Sequence, residues 1–103
     1  MTVSTNVEFD FTITGFTTTE RAEQVVAAVA AIMEEENIYD QGVGVGHAVL
    51  DGEIFISGET RWPLGISRSR FWRPYFEGKV AAAAEHVEPA ARTEFSWRYP
   101  DED

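Results

Sequence analysis

The chain has 103 residues, 44% of them apolar and 13% aromatic, which is enough for one folded domain with its own core. Eighteen acidic against eight basic side chains leave a net charge of −10, which disfavours contact with nucleic acid or anionic membrane over most of the surface. No apolar run reaches the ~18 residues of a membrane span, and the absence of cysteine excludes disulfides, thiolate catalysis and cysteine-ligated zinc.

Residues 1–6 have neither the basic start nor the apolar stretch of a secretory signal, so a cytoplasmic location is expected. Residues 1–5 and 100–103 are expected to be flexible ends of a single domain. Residues 7–14 alternate strictly between apolar and polar, the pattern of a strand with one buried face. Gly15 is expected to end it. Thr17 and Glu20 have the spacing of a helix-capping box. Ala22, Val25, Val26, Val29, Ile32 and Met33 then recur with the helical period.

Residues 42–50 and 53–58 are strand-like and flank Asp51-Gly52, a dipeptide that favours a two-residue type I′ turn. That turn sets the expected register: Leu50 opposite Glu53, Val49 opposite Ile54, His47 opposite Ile56. A second helical region is expected from Ser67, bent or restarted at Pro74, with Phe76, Val80, Ala83, Ala84 and Val87 inward and Pro89 as its stop. Residues 92–99 alternate again, with Phe95, Trp97 and Tyr99 inward. The polar faces of the first and last strands carry opposite charges that can meet if the strands are antiparallel neighbours.

The order β-α-β-β-α-β is the split arrangement of ferredoxin-like domains. The expected fold is therefore an α+β two-layer sandwich, a four-stranded antiparallel sheet with both helices on one face. The resemblance is to a fold only, and this fold hosts catalysts, RNA binders and ligand sensors alike.

The charge is unevenly distributed. Residues 1–60 hold eleven acids and one base, residues 61–79 five bases and one acid, and residues 80–103 six acids and two bases. One cationic patch on an anionic body follows. It coincides with aromatic residues, and Arg61, Trp62, Arg68, Arg70, Trp72, Arg73 and Tyr75 form the leading candidate contact site. Arginine, tryptophan and tyrosine are the residues that dominate protein-binding hot spots. Phe76 fits the helix stripe, and either Phe71 or Trp72 is expected to cover one end of the sheet.

Gly44 and Gly46 alternate within a strand and precede a hairpin, the wrong setting for a phosphate loop. They leave a flat sheet surface, so Gly44, Gly46, Leu50 and Phe55 form a second candidate surface. Glu34, Glu35 and Glu36, with Asp40, form an acidic patch at the C-terminal end of the first helix, where carboxylates oppose the helix dipole. Such a patch can meet a basic partner or imitate phosphate spacing. A solvated acidic face is the plainer reading. His47 falls on the predicted core face. It reads either as a neutral, hydrogen-bonded core residue or as a base or ligand in a pocket between sheet and helices. His86, near the end of the second helix, has no spacing that pairs it with His47 on a metal.

No sequence motif names a reaction, a cofactor or a metal. The leading expectation is a non-enzymatic protein–protein interaction module that meets a protein partner or a second copy of itself. A small acidic phage-type inhibitor mimicking nucleic acid is the alternative, and a small-ligand site or enzyme using His47 a further one. Direct nucleic-acid binding through residues 61–75 is opposed by the charge of the body.

Overall fold

The computed structural model describes residues 4–100. Alternating side chains make β1 (Ser4–Phe16) the central strand, with Val7, Phe9, Phe11 and Ile13 buried beneath the helices. The strand is longer than expected at both ends. Residues 4 and 5 lie in it, and Gly15 does not stop it. Gly15 instead sits at φ +99° where the pairing with the next strand shifts register, between Ile13 and Phe16. A Cβ there would lie 2.7 Å from the Ala90 carbonyl oxygen, so the position requires glycine.

Helix α1 (Thr19–Glu35) buries Ala22, Val25, Val29 and Met33, with Val26 and Ile32 packed at the margin of the same cluster. Its cap is one residue later than expected. The Thr18 hydroxyl accepts the backbone N–H of Arg21 at 3.2 Å, and Glu20 sits in the first turn, where a carboxylate favours the positive end of the helix. Thr18→Ala is expected to cost about 1 kcal/mol, read as a lower urea midpoint at unchanged slope.

A short 3₁₀ turn (Tyr39–Gln41) leads into β2 (Val43–Leu50), which pairs with β3 (Glu53–Thr60) in the register set by the Asp51-Gly52 turn. β3 pairs with β1. The Thr60 hydroxyl accepts the Phe9 N–H and donates to the Phe9 carbonyl, and Leu64 next faces Val7. Residues 61–63 therefore leave the ladder for a moment, and β4 (Leu64–Ser67) carries on along β1. This fifth strand corrects the expected four. It forms because Leu64 and Ile66 are buried while Gly65 and Ser67 face out, a period of two inside the Arg/aromatic segment.

Helix α2 (Ser69–Val87) runs through Pro74 as one helix, so it neither begins at Ser67 nor restarts at the proline. Phe76, Val80 and Ala84 are buried; Ala83 and Val87 are half-buried. β5 (Arg92–Arg98) pairs with β1, and Glu8 faces Arg98 as the charge pattern implied. Arg98 reaches both Glu8 at 3.4 Å and Asp10 at 2.7 Å, and its pKa is raised, chiefly by the Asp10 hydrogen bond. At the far end of the helical layer, the buried Glu88 carboxylate takes Arg21 of α1 at 2.7 Å.

The core is largely a layer of rings. Phe76 stacks on Trp72 with centroids 4.7 Å apart and packs on Phe9 at 5.4 Å, while Phe95 stacks on Phe11 and Trp97. Both helices cover one face of the sheet and leave the other uncovered. No helix among the described residues is long and apolar enough to cross a membrane.

Candidate interaction surface

The Arg/aromatic segment is divided by the fold into committed and uncommitted side chains. Trp72 is half-buried, and its indole N–H donates to Glu36 at 2.8 Å. Arg73 lies over the Trp97 ring, 5.4 Å from its centroid, and 3.7 Å from Glu77, whose carboxylate also accepts the Trp97 indole N–H. Both residues therefore serve intramolecular packing. The indole of Trp72, not Phe71, covers the core.

Phe71, 76% exposed, and Trp62, 54% exposed, remain open; Tyr75 is 49% exposed, but its hydroxyl donates to Glu36 and Lys79 lies over its ring. Among the described residues, Arg61, Arg68 and Arg70 have no carboxylate within ion-pairing distance. Unpaired guanidinium groups and exposed rings are each suited to a desolvated contact, because a planar fork and an aromatic face can both be covered by a partner. Phe71 was missed as a surface residue because helical spacing does not say which of two adjacent rings turns inward.

Local structure holds this surface in place. Gly42, at φ +93°, lies directly under the Trp62 ring; a Cβ there would sit 2.4 Å from it. The Arg61 N–H donates to the Gly42 carbonyl at 2.7 Å. Tyr39, Gly44, Val45, Arg61 and Trp62 then wall a depression of about 420 Å³. Arg68 precedes α2 in the left-handed conformation, φ +54° and ψ +47°, with no side-chain cap on the helix. A non-glycine residue held there costs free energy, and such strain concentrates at functional positions.

The acidic patch is partly spent inside the molecule. The Glu36 carboxylate accepts from Trp72 and, at 3.0 Å, from the Tyr75 hydroxyl. Lys79 donates to Glu35 at 3.1 Å and to Tyr75, and its pKa is raised above 10.5, first by the Tyr75 hydrogen bond and then by Glu35. Two of the three glutamates thus tie α1 to α2, which compensates for their unfavourable place on the helix dipole. Glu34 is exposed, and the Asp40 side chain lies outside the described residues.

His47 is not a core residue. It shares the helix-covered face with Val43 and Val45, but α1 leaves it at the margin, on the surface, with Nε2 3.9 Å from the Glu23 carboxylate. None of the depressions described among these residues is lined by it. On the uncovered face, Gly44 and Gly46 line a shallow depression of about 450 Å³ with Asp10, Thr12, Ser57 and Arg61. Phe55 is half-buried opposite Ala48, and Leu50 is 65% exposed at the hairpin tip. The described residues contain no cluster of three metal-ligating side chains.

These features define a ferredoxin-like α+β sandwich with a fifth strand. Among solved structures, the de novo designed protein Foldit4 superposes with a TM-score of 0.68 at 10% identity, over 90% of this chain and 96% of its own. A dimeric ferredoxin-like protein from an uncultured marine organism superposes with a TM-score of 0.51 at 14% identity, over 95% of this chain and 98% of its own. At these identities the likeness is one of fold. No family model and no curated protein matches the sequence.

Proposed function

We propose that the chain is a non-enzymatic binding protein that meets a protein partner through Arg61, Trp62, Arg68, Arg70, Phe71 and Tyr75. The observation that carries this reading is that Arg61, Arg68 and Arg70, free of carboxylates among the described residues, lie in one segment with the exposed rings of Trp62 and Phe71, on a chain whose net charge is −10. Free cations on an acidic protein select an acidic partner surface, and the rings supply the apolar area that turns attraction into affinity. A second copy is one such partner, and one fold neighbour is described as dimeric.

The test is affinity capture from the native host with wild-type bait and an Arg68→Glu/Arg70→Glu variant. A partner held through this surface is lost by the variant, with a penalty of about 2 kcal/mol or more in direct binding. If every captured protein is retained, the surface is not the contact site. Arg68→Gly separates strain from binding. Relief of the left-handed conformation is expected to raise stability by about 0.5–1 kcal/mol, while loss of the guanidinium weakens the partner.

A further inference from the structure

β2 is an edge strand without the usual protection. Among the described residues it pairs with β3 alone, runs for eight residues, and residues 41–50 contain no Asp, Glu, Lys, Arg or Pro. Native edges are normally blunted by charge, proline, bulges or short length. The other free edges follow that rule: β5 carries Arg92, Glu94 and Arg98, and β4 has only four residues.

The direction of the unpaired backbone groups follows from one hydrogen bond. Arg61 donates to the Gly42 carbonyl, so the even-numbered residues of β2 turn their backbone groups to β3. By alternation, the N–H and C=O groups of Val43, Val45, His47 and Val49 face outward. A strand with this arrangement can be extended by a second antiparallel strand.

We infer that β2 pairs antiparallel with β2 of a second copy across a two-fold axis at Gly46. This register pairs every residue from 43 to 49. It sets Val43 against Val49 and Val45 against His47, and an isologous interface makes each contact twice. It also brings the hairpin tip onto the edge of the sheet near Gly42. Leu50 of one copy falls beside Gly42 of the other, where the exposed Trp62 ring lies. The hairpin tip, with Val49 55% and Leu50 65% exposed, thus meets an aromatic seat. A second copy is favoured over a foreign strand because tip and seat are both on this chain. The strand also carries no charge of its own, so pairing along it sets no like charges of the two strands against each other.

The inference goes beyond the cationic contact surface and shares only Arg61 and Trp62 with it, so Arg68 and Arg70 variants test that reading and leave this one standing. Sedimentation equilibrium on the full chain should give a concentration-dependent mass rising towards twice 11.5 kDa. His47→Pro removes an outward N–H that no intramolecular bond uses, and Leu50→Arg sets like charges against Arg61. Each is expected to weaken the dimer about tenfold or more, with an unchanged far-UV spectrum as the check on folding. Adding Arg61→Glu to Leu50→Arg should restore association. A chain that stays monomeric at every concentration overturns the inference, including one that binds a strand of another protein along β2. A dimer indifferent to both folded variants overturns it as well.

Discussion

Phe76→Ala is expected to lower the unfolding free energy by about 3–5 kcal/mol, the usual cost of removing a fully buried ring. Phe76 has no exposed surface and stands between Trp72 of its own helix and Phe9 and Phe95 of the sheet. Truncation would leave a cavity lined by rings, which cannot collapse into it without abandoning their own stacking. The loss is a large fraction of the ~5–15 kcal/mol that holds a small domain together. Urea denaturation measures it directly. A loss below about 1 kcal/mol would mean that the aromatic layer between α2 and the sheet is not the core.

Glu36→Ala should cost about 1–3 kcal/mol although the residue belongs to an apparently solvated acidic run. Its carboxylate accepts the Trp72 indole N–H and the Tyr75 hydroxyl, so truncation orphans a half-buried donor and removes a tie between α1 and α2. A red-shifted tryptophan emission should accompany the loss as Trp72 becomes wetter. Glu34→Ala, at an exposed position, should leave stability within about 0.5 kcal/mol of wild type. The comparison decides between structure and recognition. If Glu36→Ala left stability untouched but abolished binding to a basic partner, the acidic run would be a contact surface and not a helix clamp.

The arginines and rings of residues 61–76 illustrate why one segment can serve both packing and contact. Its period changes from two in β4 to 3.6 in α2, so adjacent residues are assigned to different surfaces. Leu64, Ile66 and Phe76 go inward, Trp72 and Arg73 to the margin, and Trp62, Phe71 and Tyr75 outward. A positive charge on such a surface remains available only where no carboxylate lies within reach, and that depends on elements distant in the chain. Arg98 finds Asp10 from the neighbouring strand; Arg68 and Arg70 find none among the described residues.

Local patterns in the chain were sufficient for both helices and the strands β1, β2, β3 and β5 in their order, the hairpin register, the inward stripe of α1 and the pairing of β1 with β5. Each of these depends on periodicity or turn chemistry within a few residues, or on strands whose partners the topology leaves little choice about. The exposure of His47, the burial of Trp72 in place of Phe71, the continuous helix through Pro74, the extra strand β4 and the capture of Glu35 and Glu36 by α2 were decided by tertiary packing. These outcomes depend on where α1 stops covering the sheet and on which side chains α2 brings within about 3 Å of them, the range of a hydrogen bond. Such distances arise between residues far apart in the chain, and no local pattern encodes them.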